Sequence, residues 1–413
     1  MKLNSRQAAV AAALALLAGA TPAAWGDAET DKLRAEIEQL KRDMRELRSA
    51  LERQKQDTAT KQDVQAVQSE VAQVRSSAES SSMLGRNSMA HLAGYGDFGY
   101  ARRRSSDRGF NLASFNPIFH FQYQDRIFFE TELETVLQPD GTTEVNLEYA
   151  NLNYFLNDYV TLFGGKFLSP IGYFRQNLHP SWINKFASEP PGFGHDGAAP
   201  SSDVGAGARG GFYLGSMKAK YALYAGNGPR LELNGAGDEI EAIMAEGATS
   251  NPAKTLLLGG RVALQPVPNL EFGVSAGTSK VAVDMGGVVE PKRSYRVTGA
   301  DIGFQWKGLD LRGEYIRQRV GALETSVAPE GGAWSARYVQ AAYRIPGTGW
   351  EPVIRWGRFT SPHEDQRQRQ LGYGINFWNT SNSVVKLGYE RNRGLAGTAN
   401  DANRVLLQFA YGF

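Results

Sequence analysis

The sequence predicts an all-β transmembrane antiparallel β-barrel of about 16 strands, preceded by an N-terminal α-helical coiled coil. Three observations carry this prediction. The last segment alternates apolar with small or polar residues down to Phe413, about sixteen such segments follow His91, and the connections between them are short and long in turn. A membrane-spanning sheet must close, because an open edge cannot be solvated in hydrocarbon. A closed single-chain barrel has an even strand number, with short turns at one end and longer loops at the other.

The final segment is the clearest. Val405, Leu407, Phe409, Tyr411 and Phe413 share one face, against Leu406, Gln408, Ala410 and Gly412 on the other. Working backwards, alternating segments lie near 91–102, 115–123, 126–137, 144–156, 159–167, 207–215, 217–226, 255–266, 269–280, 294–307, 309–319, 334–346, 350–360, 368–378, 383–393 and 403–413. Most have the roughly 9–11 residues a tilted spanning strand needs.

Tight connections recur at Gln124-Asp125, Asn157-Asp158, Ser216, Pro266 to Pro268, Gly308, Pro346 to Gly349 and Asn379 to Asn382. Longer polar ones, 103–114, 168–206, 227–254, 281–293, 320–333 and 394–402, fall between them. That rhythm expects both barrel ends on the short-turn, periplasmic side. Tyr154, Phe155, Tyr159, Trp306, Tyr343, Trp350, Phe377 and Trp378 lie beside the short turns, where amphipathic rings prefer the headgroup level. A mean hydropathy of −0.39 does not oppose a barrel, because lipid-facing and lumen-facing residues average out.

Residues 1–26 read as a secretory signal peptide: Lys2 and Arg6, the apolar run Ala8 to Ala20, and the small residues around Ala24-Trp25-Gly26. Residues 27–82 read as a periplasmic coiled coil and Ser-rich hinge. Leu33, Ile37, Leu40, Met44, Leu47 and Leu51 recur at spacings of four and three, an a/d seam. A second seam follows at Val64, Val67, Val71 and Val74. A helix with one apolar stripe must bury it, so self-association is expected, with a homotrimer favoured. Residues 83–413 form the barrel domain.

The longest connection, 168–206, carries Arg175, His179, Trp182, Ile183, Lys185, Glu189, His195, Asp196 and Asp203. A loop of that length with Trp182 and Ile183 is expected to fold inward and constrict the lumen. Glu130, Glu132 and Glu134 alternate on one strand, and Glu144 and Glu148 share a face of the next, which predicts an acidic wall. Lys218, Lys220, Arg312, Arg317, Arg319, Arg355, Arg358, Arg367, Arg369, Arg391 and Arg393 sit on other strands. Charge on the lipid face costs about 2–4 kcal/mol near the midplane, so these bases are expected in the lumen or near an interface. Arg312 and Arg355 are the candidate lining bases opposite the acidic wall.

Phe128-Phe129-Glu130 through Glu134, Leu147-Glu148-Tyr149-Ala150, and Gly164-Gly165-Lys166-Phe167-Leu168-Ser169-Pro170-Ile171-Gly172 resemble the 16-stranded outer-membrane porin superfamily, nearest to phosphate-selective porins O and P. A leader and coiled coil before a barrel also resemble a siderophore-uptake porin group. The resemblance implies a water-filled outer-membrane channel of a Gram-negative bacterium that passes small hydrophilic solutes. Phosphate selectivity in that family rests on a basic constriction, whereas this loop holds Arg175 and Lys185 against Glu189, Asp196 and Asp203. Only the fold and general transport are therefore carried over. Alternating aromatics ending at Phe409, Tyr411 and Phe413 resemble the signal read by the barrel assembly machinery.

No Ser/His/Asp spacing recurs around the five histidines, so an enzyme is not expected, and no metal cluster or cofactor motif stands out. The near balance of 45 basic and 43 acidic residues gives no reason to expect nucleic acid. Membrane lipid and lipopolysaccharide are expected partners. Peptidoglycan, reached through the coiled coil, is the partner of the alternative reading as a cell-wall tether. Selective uptake of phosphate or a siderophore is a further alternative.

Overall fold

The computed structural model describes residues 38–39, 41–43, 45–46, 88–103, 108–138, 140–194, 197–394 and 403–413. The chain divides into two units, 1–83 and 84–413. In the first, the described residues are helical, and Lys41 pairs with Glu38 one turn away at 2.9 Å. The signal segment and all six residues of the leucine seam lie outside the described residues.

Among the described residues, the second unit holds eighteen strands. They are β1 (Ser88–Arg103), β2 (Arg108–Tyr123), β3 (Ile127–Leu137), β4 (Thr143–Asn157), β5 (Val160–Leu168), β6 (Ser202–Leu214), β7 (Met217–Gly226), β8 (Arg230–Leu233) and β9 (Ile240–Met244). Then come β10 (Leu257–Val267), β11 (Leu270–Val281), β12 (Arg293–Trp306), β13 (Leu309–Val320), β14 (Gly332–Tyr343), β15 (Trp350–Thr360), β16 (Gln368–Trp378), β17 (Ser383–Gly394) and β18 (Arg404–Gly412). Sixteen of them form one closed antiparallel barrel, while β8 and β9 pair separately inside a long connection. The barrel closes where β1 meets β18, with Phe98 opposite Phe409. There Gly94 and Phe413 also exchange backbone hydrogen bonds, at 3.0 and 2.9 Å. Each of the sixteen expected segments coincides with one barrel strand.

Alternation decides which side each residue faces. On β18, Val405, Leu407, Tyr411 and Phe413 are exposed, while Leu406, Gln408, Ala410 and Gly412 are buried. The same period runs through β11 to β17 and leaves Val274, Ile302, Val339, Ile354, Ile375 and Leu387 on an exposed outer surface. This is the wall a hydrocarbon phase would cover. Of the expected girdle, Tyr159, Trp306, Tyr343, Trp350 and Phe377 are exposed. Trp378 instead has inward parity, and its indole N–H donates to Glu351 at 2.9 Å.

Two boundaries differ from the sequence expectation. The connection 103–114 is not a long loop, because Arg102 already pairs with Arg108 and the hairpin continues past the apolar stretch. Arg108, Asn111 and Ser114 read as loop residues although they belong to β2. Likewise β6 begins at Ser202, where Leu168 pairs with Ser202 and Phe167 with Asp203. The internal loop therefore spans 169–201, and Asp203 is a strand residue.

Candidate functional site: the lumen and its internal loop

Among its described residues, the loop 169–201 contains one short helix, α1 (Phe174–Leu178). It is fastened to the inner wall of β11 through β18. Gly172 N–H donates to Ser275 Oγ at 3.2 Å, and the amides of Tyr173 and Phe174 donate to Glu314 at 2.8 and 3.0 Å. Gln318 Nε2 donates to the Ala198 carbonyl at 2.8 Å. Asn376 Nδ2 donates to the Lys185 carbonyl at 3.1 Å, and Lys386 Nζ donates to the Ser181 carbonyl. These partners come from β11, β13, β16 and β17, so the loop lies inside the lumen and fills one sector of it.

That sector holds an apolar core. Ile171, Phe174, Phe193 and Ala198 of the loop pack with Tyr295, Val297, Ile316, Trp334, Tyr338 and Phe359 of the wall, all buried. Full burial of one such side chain stabilises by about 1.5–3 kcal/mol. The wall makes room with glycine. Phe186 sits where β-carbons at Gly372 and Gly374 would come within 2.9 and 3.3 Å of its ring. Gly172 has φ +86°, and a Cβ there would lie 2.0 Å from Glu314 Oε1, so this approach demands glycine.

The acidic wall exists, but it is an anchor. A bulge opposite Glu132/Leu133 turns both Glu148 and Tyr149 of β4 inward, where both are buried. Glu148 accepts from Arg175 Nη2 at 2.6 Å, and Arg175 Nη1 donates to Glu189 at 2.9 Å. Burial opposes the guanidinium charge of Arg175, yet Glu189 and Glu148 outweigh it and hold its pKa above the ordinary range. Tyr95 Oη donates to Glu132 at 2.8 Å, and His179 Nε2 lies 3.8 Å from the same carboxylate. Glu130 is 3.7 Å from Arg209. Glu134 borders the same cleft as Arg175 and Glu148. Glu144 instead is exposed at the long-loop end, bonded to Gln138 and Asn146 at 2.5 and 2.9 Å.

The remaining expected loop residues divide as follows. Lys185 pairs with Glu351 at 2.8 Å, and a Cβ at Gly412 would touch the Trp182 ring at 2.7 Å. His195 and Asp196 lie outside the described residues. Asp203, on β6, accepts from the amide of Gly228 at 3.2 Å and braces the base of the next connection.

The opposing basic wall is a correction. Arg355 is fully buried beneath the loop, donating to the Ser188 carbonyl and hydroxyl at 2.9 and 2.8 Å, with Glu390 at 3.5 Å. It anchors the loop and does not line open water. Arg312 has inward parity, pairs with Asp310 at 2.8 Å and lies over Tyr173 at 5.1 Å. Arg317, Arg319, Arg358, Arg369, Arg391 and Arg393 point outward, alternating with buried neighbours such as Gln318, Phe359, Gln370 and Asn392. Arg367 belongs to the connection after β15 and bonds the Ser361 carbonyl at 2.9 Å.

Open clefts border the inner faces of β2 to β7, β10 and β11. One cleft of about 380 Å³ is bordered by Glu130, Glu132, Gln176, Asn177, His179 and Arg209. An adjoining one of about 370 Å³ shares Gln176, Asn177 and Arg209, and adds Tyr173, Lys220, Arg261 and Glu271. Lys220 and Arg261 both bond Glu271, at 2.6 and 3.0 Å, and Arg261 also bonds Asp301. Arg209, Arg261, Glu271, Glu314, Glu351 and Glu390 escaped the sequence reading. Their signal was a charged residue at an inward position within an apolar strand.

No protein-family model matches the chain, and no curated protein is similar to it in sequence. Among solved structures, the fold is similar to the outer membrane channel DcaP of Acinetobacter baumannii. That match has 11% identity and a TM-score of 0.57, covering 80% of this chain and 99% of that one. It is similar to the anion-selective porin from Comamonas acidovorans, with 14% identity, a TM-score of 0.54, and 79% and 100% covered. It is also similar to the trimer form of OmpT, an outer membrane protein of Vibrio cholerae, with 12% identity, a TM-score of 0.52, and 79% and 100% covered. At such identities the likeness concerns fold alone: this chain is a closed sixteen-stranded antiparallel barrel similar to theirs.

Proposed function

We propose that this protein is an outer-membrane porin, a water-filled channel for passive diffusion of small hydrophilic solutes or ions. The observation that carries the reading is the internal loop. It fills one sector of a closed barrel and leaves polar clefts, bordered by Glu130, Glu132, Arg209, Lys220, Arg261 and Glu271, on the other side. Walls of fixed charge are how pores select among solutes. Here Lys220 and Arg261 share Glu271, and Arg209 stands beside Glu130. Such compensated pairs favour a general channel over a phosphate-binding constriction. The chain is further read as carrying a signal peptide at 1–26 and a periplasmic coiled coil at 27–82. A homotrimer and insertion by the barrel assembly machinery complete the proposal. Peptidoglycan contact through the coiled coil remains part of the tether reading, which can coexist with a pore.

The test is reconstitution in a planar bilayer and in liposomes. Stepwise conductance that scales with salt, together with swelling in small sugars, is the expected result. A protein that inserts yet conducts nothing overturns the channel.

A further inference from the structure

The outer surface of the barrel changes character near its long-loop end. On β14 to β17, Arg337 lies opposite Arg358, Arg358 opposite Arg369, and Arg369 opposite Arg393. Arg337, Arg369 and Arg393 are exposed and Arg358 is half-buried. On β12 and β13, Arg296 lies opposite Arg319 and both are exposed. Arg317 and Arg391 occupy the next outward positions below Arg319 and Arg393. All the acidic residues of these six strands, Asp301, Asp310, Glu314, Glu351 and Glu390, have lumen parity. Among the described residues, none of the outward arginines forms an ion pair.

Like charges directly opposite on neighbouring strands repel. A four-strand row of guanidinium groups therefore weakens the isolated barrel and calls for an anionic layer outside it. Its height shows which layer. Toward the short turns the same outward columns become apolar and end at Trp306, Tyr343, Trp350 and Phe377. From Arg369 to Phe377 the strand runs about 26 Å at about 3.3 Å per residue. At a tilt of about 35–45° that is roughly 20 Å along the membrane normal, close to the height of a barrel's apolar band. With the aromatic row at one headgroup level, the arginines reach the other.

We propose that this rim binds phosphorylated glycolipid headgroups of the outer leaflet, several phosphates being gripped at once by planar, two-pronged guanidinium groups. Hydroxyl groups complete the surface: Thr298 and Ser335 flank Arg317 across the sheet, and Thr360 lies opposite Ser335. A second copy presenting this same face does not fit here, because two cationic faces repel. A zwitterionic lipid brings its own cation to each phosphate. This inference rests on the outer-membrane reading and adds a lipid class and its residues.

The experiment compares the full-length protein with an R337Q/R358Q/R369Q/R393Q variant. Both are placed in nanodiscs of phosphatidylcholine containing either bis-phosphorylated lipid A or phosphatidylethanolamine, and lipid retention is read by native mass spectrometry. The wild type is expected to favour lipid A at least tenfold, and the variant to lose that preference. Both should keep compact migration in cold detergent and unaltered conductance. If the quadruple variant fails to fold, R369Q/R393Q replaces it, with a partial loss expected. Equal preference in wild type and variant overturns the proposal. So does displacement of lipid A by excess inorganic phosphate, which makes the rim a site for free anions, or a change of oligomeric mass, which makes it a contact between copies. Failure of the channel reading would show separately, as absent conductance with the lipid preference intact.

Discussion

Arg175 of the internal loop donates to Glu148 of β4 across 2.6 Å, and both side chains are almost wholly withdrawn from water. This pair ties the loop to the wall opposite its other attachments, so the loop is clamped at both sides of the lumen.

Removing one partner leaves a buried charge uncompensated, which costs about 3–5 kcal/mol. Arg175→Ala is therefore expected to lower the temperature at which the folded band is lost on a detergent gel and to increase open-channel current noise. Glu148→Gln, which keeps one acceptor for the guanidinium, should have the smaller effect. An unaltered unfolding temperature for Arg175→Ala would show that the clamp contributes nothing.

Deleting residues 179–187 removes Phe186 from its glycine socket and Lys185 from Glu351. Resistance concentrates at the narrowest section, so single-channel conductance should rise. No rise would mean that the loop does not set the narrowest section.

Ion preference should follow the open clefts and not the loop's charge count. Arg209→Gln with Lys220→Gln should shift the reversal potential toward cations, since Glu130, Glu132 and Glu271 stay in place. The shift should shrink in concentrated salt, because the Debye length falls from about 10 Å at 0.1 M to about 3 Å at 1 M. Lys185→Ala, at a group paired with Glu351 away from the clefts, should leave the reversal potential near that of the wild type. The opposite ranking of these variants would place the selective passage elsewhere.

Deleting residues 27–80 should weaken oligomers yet leave a heat-modifiable, conducting barrel. The described strands close without that region, and a helix with a single apolar stripe is expected to bury it against copies of itself. Mass measurement by light scattering checks this, and an unchanged oligomer would remove the neck's assigned role.

Strand number, closure and the outer wall were legible because side chains alternate with period two and hydrocarbon punishes any error in that pattern. Val405 to Phe413 shows it within a single strand. That a long loop enters the lumen was also legible, from Trp182 and Ile183. Which charged residues line water was not. Arg355 and Arg358 sit three residues apart on β15, yet one is sealed under the loop and the other faces outward. Parity separates them only once a strand's register is known, and a shift of one residue exchanges the faces. Of the acidic residues expected to form one wall, Glu132 and Glu148 are buried against the internal loop, whereas Glu144 is exposed at the long-loop end. The use of Glu132 and Glu148 as anchors depended on where Arg175 and His179 came to rest, tens of residues away along the chain. Local pattern therefore determined the barrel. The pairing of buried charges across its lumen, decided by the cost of leaving any of them alone, belonged to the tertiary structure.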